Sequence, residues 1–459
     1  MFHKDKVNYI LLHIKQLFRN SSPVSILSLG YIVIILVSAG LLSIPASSAA
    51  GMGTPFLDSL FTAVSAITTT GLIVVDTGSH FSLFGQLIII LLIQTGGLGY
   101  MLFVVLVFLA FHQKMSIQSS LMLLESVKKP LKVDIVHFVK IIIILTAIIE
   151  ITGAALMSFF LHSFHPSAHS IYSGIFHSIS AFNTAGFSIY QDSMCSVKNI
   201  VPINTVLILV STLGSLGFFV LYDGGKILSD RLHGLHTKKL SVHSRLVLLC
   251  TCSILVCATL LLYATGHSEP GTTLFQELMQ SLFQVSSAST TTGFNSIDIG
   301  KLNESNLLLI IILMFIGAGS GGTAGGIKMT TFSVVLLSVI AIINNRSSVN
   351  VFRRRLSFDI VRNAYAIVVL TLLWIIIAAY IMTITEQREF IHLLFEVTSA
   401  IGTVGLSTGI TADLSISGKI IIIVSMFIGR IGPLSIGISL FKNGDEASYK
   451  YSTTDIFIG

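Results

Sequence analysis

The sequence predicts an all-α polytopic membrane protein built from four direct repeats, each a helix, a re-entrant half-helix, a Thr-Gly segment and a second helix. Three observations lead there. Hydrophobic residues make up 53% of the 459 positions and charged residues only 10%, against about 25% charged in soluble chains. The apolar residues are gathered into runs that reach the roughly 20 residues a helix needs to cross a bilayer. Finally, one short pattern returns four times at near-equal intervals.

Taken in order, eight spans are expected: Pro23 to Pro45, Gln86 to Phe111, Ile135 to His162, Val201 to Leu228, Leu246 to Thr265, Asn306 to Ile343, Ile360 to Thr383 and Ile420 to Leu440. Residues 1–22 are basic and amphipathic. They lack the apolar core and cleavage site of a signal peptide and read as a cytoplasmic N-terminal segment. The remainder divides into repeat 1 (23–111), repeat 2 (133–228), repeat 3 (244–343), repeat 4 (357–440) and a cytoplasmic tail (441–459).

A formal net charge of +6 could point to nucleic acid, but its distribution argues for a membrane. With the N-terminus taken as cytoplasmic, only Lys198, Lys301, Arg388 and Lys419 fall outside, and only Lys328 and Arg430 lie deeper in spans. The other Lys and Arg are inside, as the positive-inside bias requires. An even number of spans puts both termini in the cytoplasm of a multi-pass cell-membrane protein. The clusters Lys128-Lys129, Lys238-Lys239 and Arg353-Arg354-Arg355 read as topology signals beside anionic headgroups, with docking of a cytoplasmic partner as a further use. Cys195, Cys250, Cys252 and Cys257 have no metal-ligand spacing.

The recurring pattern lies between the spans. It reads FTAVSAITTTGL (Phe61 to Leu72), FHSISAFNTAGF (Phe176 to Phe187), FQVSSASTTTGF (Phe283 to Phe294) and FEVTSAIGTVGL (Phe395 to Leu406). The four align without gaps as F-x-x-x-S-A-x-x-T-x-G-[LF], and their last glycines recur about every 110 residues. A glycine-rich echo follows each: Gly96-Gly97-Leu98-Gly99, Gly214-Ser215-Leu216-Gly217, Gly317-Ala318-Gly319-Ser320 and Gly429-Arg430-Ile431-Gly432.

Half-helices of about 12 residues cannot cross a bilayer. The irregular backbone after them is tolerated at membrane depth only inside protein or beside water. Four copies around one axis would make such a cavity, with helix C-termini presenting partial negative charge to it. Candidate K+ filter residues are therefore Thr69, Thr70 and Gly71, Thr184, Ala185 and Gly186, Thr291, Thr292 and Gly293, and Thr403, Val404 and Gly405. Their carbonyls could replace a hydration shell, with glycine admitting the dihedrals that aim them. The competing reading is that Gly and Thr only let membrane helices pack closely. The shared Phe and Ser-Ala read as half-helix packing.

The stretch FIGAGSGGTAGGIKMTT, Phe315 to Thr331, contains the G-x-G-x-x-G spacing of a dinucleotide site. No Asp or Glu lies between Glu304 and Asp359 to hold a ribose, and Ile327 spoils a Walker A loop. From Asn306 to Ile343 a continuous helix would run roughly 57 Å, nearly twice the hydrocarbon thickness. It should break at the glycines. Lys328 and Arg430 are charges where charge is costly. Arg430 reads as facing the bundle interior and pairing with loop carbonyls or an acidic neighbour. Lys328 either does the same or snorkels outward.

With these residues the chain resembles the Trk/Ktr/HKT superfamily of K+ transport proteins. The four filter segments, GAGSGGTAGGIK and FIGRIGPL (Phe427 to Leu434) carry the resemblance. It is most similar to the Ktr-type membrane subunit, because only 22 residues precede repeat 1. The resemblance implies a pseudo-fourfold single-chain pore, a homodimer of such pores, and a separate cytoplasmic nucleotide-binding ring of the RCK type as regulator. It also implies that the break in repeat 3 is an intramembrane gate comprising Gly317, Gly319, Ser320, Gly321, Gly322, Thr323, Ala324, Gly325, Gly326 and Lys328, restrained by Arg430. The tail from Tyr449 would pack at the dimer interface. Relatives that prefer Na+ carry serine where this chain has Gly71, so K+ is the expected ion, with no cofactor.

An enzyme is not expected. The spans lack paired carboxylates or a histidine cluster, and Ala318-Gly319-Ser320-Gly321 starts with the wrong residue for an intramembrane serine motif. A secondary cation transporter with tight Na+ coupling is the alternative; it would normally place broken helices in two inverted halves.

Overall fold

A computed structural model describes residues 23–110, 135–163, 167–234, 239–266 and 272–432. The N-terminal segment 1–22, Lys128-Lys129, Lys238, the end of the last span from Pro433 to Leu440 and the tail 441–459 lie outside the described residues. The chain is mostly helical. The first unit comprises Pro23–Ser43, the half-helix Phe56–Ile67 and Leu83–Ala110. The second has Ile135–Leu161, Ser167–Phe182, and a span divided into Val201–Ser215 and Phe218–Leu232. The third has Val242–Ala264, Leu274–Ser289, and a span divided into Glu304–Ile316 and Met329–Ile343. The fourth has Phe358–Thr385, Phe390–Gly402 and Ile416–Ile431.

Among the described residues, His137–Leu161, Val242–Ala264 and Phe358–Thr385 are each long and apolar enough to cross a membrane unaided. They are first spans of their units. The second spans of units 1 to 3 break at a glycine, and the described part of the fourth ends on one. Gly99, Gly217, Gly317 and Gly432 have φ of 66, 98, 66 and 95°, at or near a backbone region that side-chain-bearing residues avoid. This corrects the expected span Val201 to Leu228, whose two pieces meet at 103°. After Gly217 the chain leaves the helical ladder, and the N–H of Phe218 donates instead to Gly321 O at 3.0 Å. It also corrects the echo alignment. Gly317 occupies the place of the last glycine of the other units, not the first.

The first glycines of the echo have a separate job. A Cβ on Gly96, Gly214 or Gly429 would lie 1.9, 1.8 or 2.1 Å from Ile67 O, Phe182 O or Ile401 O. The second span of those units thus rests on the last turn of its own half-helix. In lipid there is no hydrophobic drive between helices, so close backbone approach is what holds such pairs together.

The half-helices lie deepest. Phe61, Phe176 and Phe395 are fully buried, as are Ala66, Ala181, Ala288 and Ala400. The outer helices turn Leu36, Ile151, Val256 and Ile376 outward; exposed side chains this apolar suit a lipid surround. A long-range ion pair within the chain, Lys419 Nζ to Asp58 Oδ1 at 2.8 Å, ties the start of Ile416–Ile431 to the first half-helix. The basic loop before unit 4 forms a small antiparallel ribbon. Asn350–Val351 pairs with Arg354–Arg355, and the turn residues Phe352 and Arg353 both have positive φ, as a type I′ hairpin requires.

Candidate functional site

All four half-helices end in the same hydrogen-bond pattern. In the first, Thr70 N–H donates to Ser65 O at 2.8 Å and Thr69 N–H to Ala66 O at 3.1 Å, the paired bonds of a Schellman cap. The longer bond recurs as Ala185 to Ser180 at 2.8 Å, Thr292 to Ser287 at 2.8 Å and Val404 to Ser399 at 2.9 Å. Such a cap needs a left-handed residue just beyond the helix, a place usually given to glycine. Here it is threonine each time: Thr69, Thr184, Thr291 and Thr403 have φ of 53, 51, 56 and 47°. A β-branched residue held there costs on the order of 1–3 kcal/mol and persists only where the surroundings over-determine it.

Two residues on, Gly71, Gly186, Gly293 and Gly405 have φ of 89, 67, 87 and 92°. Their missing side chains define how the four segments meet. A Cβ on Gly71 would lie 2.2 Å from Ala185 O, one on Gly186 2.4 Å from Thr292 O, and one on Gly293 2.2 Å from Val404 O. One on Gly405 would lie 2.0 Å from Thr70 O. The contacts run from each unit to the next and return from the fourth to the first, so the backbones crowd in a closed cycle that only glycine permits. The threonines of the cycle, Thr69, Thr70, Thr184, Thr291, Thr292 and Thr403, together with Ala185 and Val404, are buried.

The Ser-Ala pair does more than pack. Besides the carbonyl bonds above, Ser65 Oγ accepts from Gly71 N–H at 3.0 Å and Ser399 Oγ from Gly405 N–H at 3.1 Å, while Ser180 Oγ donates to Phe187 O at 2.8 Å. A second brace comes from the residue after the shared Phe. Glu396, fully buried, accepts from Ser407 Oγ at 2.6 Å, Thr408 N–H at 3.0 Å and Thr411 Oγ1 at 2.8 Å. His177 Nε2 meets Ser188 Oγ at 3.0 Å in the matching place of unit 2. Sequence reasoning missed both, although the signal was present. Thr62, His177, Gln284 and Glu396 occupy one repeat position, directly after the shared Phe, and all four are polar. Beside the second candidate filter segment, Asn183 Nδ2 donates to Gln94 Oε1 at 2.9 Å and Glu150 Oε1 at 3.0 Å, linking the segment to two spans.

The candidate gate residues from Gly317 to Lys328 form a loop closed at its base, where Met329 N–H donates to Ala318 O at 2.8 Å and Ile327 N–H to Phe315 O at 3.3 Å. The loop contacts units 2, 3 and 4 directly and is bridged to unit 1 by Arg430 of unit 4. On unit 2, Gly319 N–H donates to Ser215 O at 3.0 Å, and Thr323 Oγ1 donates to Phe182 O and Gly214 O, each at 3.1 Å. On unit 3, Gly325 N–H donates to Thr291 Oγ1 at 3.0 Å. On unit 4, a Cβ on Gly325 would lie 2.0 Å from Thr403 Oγ1. Unit 1 is reached through Arg430, whose Nη1 donates to Thr323 O at 2.6 Å and Thr69 Oγ1 at 3.1 Å, and whose Nη2 donates to Gly96 O. Lys328, at φ 78°, turns its ammonium back onto Ala324 O in place of snorkelling. Thr184 Oγ1 donates to Thr323 Oγ1 at 3.3 Å. Each left-handed threonine therefore meets the loop or the arginine that holds it.

Known proteins resemble the chain over nearly its whole length. It matches the family model described as TrkH, cation transport protein, over residues 14–450. It is 37% identical to Ktr system potassium uptake protein B of Bacillus subtilis over 442 residues, covering 95% of this chain and 97% of that one. It is 33% identical to potassium/sodium uptake protein NtpJ of Enterococcus hirae, covering 97% and 99%. Its fold is similar to the crystal structure of the potassium transporter TrkH from Vibrio parahaemolyticus, with a TM-score of 0.69 at 20% identity over 90% of this chain and 84% of that one. On the family match and these full-length relatives, the chain belongs to the TrkH family of cation transport proteins.

Proposed function

We propose that this chain is the pore-forming membrane subunit of a K+ uptake system, passing dehydrated K+ through four carbonyl-bearing segments arranged with pseudo-fourfold symmetry. The observation that carries the reading is the cyclic approach of Gly71, Gly186, Gly293 and Gly405 to Ala185 O, Thr292 O, Val404 O and Thr70 O. Helix packing by small residues does not call for strained threonines at four equivalent positions. A ring of backbone oxygens of fixed radius does. Half-helix C-termini aimed at the same place add partial negative charge, and carbonyl rings of this kind select K+.

The loop from Gly317 to Lys328 is the gate. Its backbone and hydroxyls occupy the space next to the left-handed threonines, and Arg430 clamps it through Thr323 O. Buried hydrogen bonds at low dielectric are strong, so the clamp favours the closed position until another chain shifts it. That chain is a separate cytoplasmic nucleotide-binding ring. The relatives' naming as one protein of a Ktr system supports a regulatory partner. The membrane subunit works as a homodimer in the cell membrane, with both termini cytoplasmic.

The test is ion flux through the purified protein in liposomes. K+ and Rb+ should pass in strong preference to Na+. Gly71→Ser should weaken that preference, because its Cβ would press on Ala185 O. Equal passage of K+ and Na+ by the wild-type protein would refute the filter.

A further inference from the structure

The bend at Gly217 and the start of the next unit border an open cavity of ≈ 620 Å³ between Phe218–Leu232 and Val242–Ala264. Its walls include Leu216, Leu221 and Leu248, and its rim carries Arg231, Lys239 and Arg245. Three cations converge on one apolar hollow. Among the described residues none of the three forms an ion pair. The nearby carboxylate of Asp223 is already used, accepting from Ser241 N–H at 3.2 Å and Ser244 Oγ at 2.7 Å to secure the helix start.

A fixed excess of positive charge over an apolar floor calls for a ligand with an anionic head and a hydrocarbon body. The position agrees. Val242–Ala264 is long and apolar enough to cross a membrane and begins at this cavity, so Arg245, in its first turn, stands at headgroup level. Leu228 and Leu249, 60% and 56% exposed, continue the apolar surface along the flanking helices.

We infer that this cavity binds an anionic phospholipid, its phosphate held by Arg231, Lys239 and Arg245 and an acyl chain laid against Leu216, Leu221 and Leu248. Basic pockets between membrane helices suit such headgroups. A nucleotide is a poor match, because the lining offers no aromatic ring to stack a base. Occupancy reaches the gate through one element. Leu216 directly precedes the bend, and Phe218 N–H, just after it, holds Gly321 O, so a lipid wedged there steadies the seat of the loop. That consequence rests on the gate reading; the binding does not.

The experiment is native mass spectrometry of the full-length protein equilibrated with mixed micelles containing phosphatidylglycerol or phosphatidylcholine. The wild-type protein should retain phosphatidylglycerol selectively. The triple variant Arg231→Gln, Lys239→Gln, Arg245→Gln should lose it, by about fivefold per charge removed. The triple variant Arg353→Gln, Arg354→Gln, Arg355→Gln removes equal charge from the hairpin and should keep it. Leu248→Trp, which fills the cavity without touching charge, should also lose it and decides the matter if the first variant does not fold. Equal retention of the two lipids, equal loss from both triple variants, or displacement by millimolar inorganic phosphate would overturn the assignment. The last result would identify a site for soluble phosphate. None of these outcomes depends on ion flux, so the lipid site and the pore can fail separately.

Discussion

Units 2 and 3 break their second spans at the same place and with the same residue, yet they make different objects. After Gly217 the chain meets Phe218, Phe219 and Val220, and a helix restarts at once at a 103° angle. After Gly317 it meets Ala318-Gly319-Ser320-Gly321-Gly322, and no helix resumes until Met329. Large apolar residues can bury themselves by restarting a helix, whereas glycine raises the entropic cost of one by about 1 kcal/mol per residue. One glycine is thus enough to make a break, but the residues immediately after it decide between a bend and a loop. The bend then serves as the loop's seat, through Ser215 O and Phe218 N–H.

Making unit 3 like unit 2 is the most forceful challenge to this contrast. Deleting Gly319 to Ala324 removes the loop's bonds to unit 2, which at about 1 kcal/mol net apiece would shift a closed-to-open ratio by roughly 100-fold for three. Rb+ uptake into vesicles should rise at least severalfold while the K+ over Na+ preference is kept. A folded deletion protein no faster than wild type would mean that the loop is not the gate. Arg430→Ala should act in the same direction and less strongly, by about tenfold or below, since it leaves the loop seated on unit 2. Reduced flux in this variant would assign the arginine to the open state.

Gly217 and Gly99 separate bend from loop seat through stability. Both lie at breaks, but a Cβ on Gly217 would sit 2.6 Å from Ser320 O, whereas one on Gly99 meets nothing within 4 Å. Gly99→Ala should cost only the backbone term, on the order of 1–3 kcal/mol. Gly217→Ala should lower the melting temperature further and loosen the loop as well. Equal melting shifts would show that Ser320 does not bear on the bend. The smallest effect is expected from Thr184→Val, which removes one 3.3 Å contact with Thr323 Oγ1. A severalfold rise in Rb+ uptake at most should result; impaired selectivity instead would move this hydroxyl from the gate to the ion path.

Features that leave a mark in local composition were legible in the sequence. The half-helices showed as short apolar segments ahead of T-x-G, and the break in unit 3 showed because 38 residues from Asn306 to Ile343 exceed one bilayer crossing. The bend in unit 2 left no such mark. Val201 to Leu228 fits a single crossing, and only the partner atom Gly321 O reveals why the helix turns. The left-handed threonines were equally hidden. Glycine is the expected residue for that conformation, and the strain on the four threonines is sustained by Arg430 at Thr69 and by the loop at Thr184, Thr291 and Thr403, none of them a neighbour in sequence. The hydroxyls of Ser65, Ser180 and Ser399 looked like packing residues because their acceptors and donors are backbone atoms, which are the same at every position. The triad of Gln94, Glu150 and Asn183 draws on two units and has no one-dimensional signature at all.

The closure between Lys419 and Asp58 spans 361 residues, and Gly405 meets Thr70 O across nearly as many. Ribosomes add about 5–20 residues per second, so some 20 to 70 s separate synthesis of the first half-helix from that of its last neighbour. Throughout that interval Thr68, Thr69 and Thr70, which the finished protein buries completely, sit in the membrane as one quarter of an unfinished ring. Substitutions in the last unit therefore act on the maturation of the first, and a nascent chain released early leaves behind an open, polar-edged arc instead of a smaller working protein.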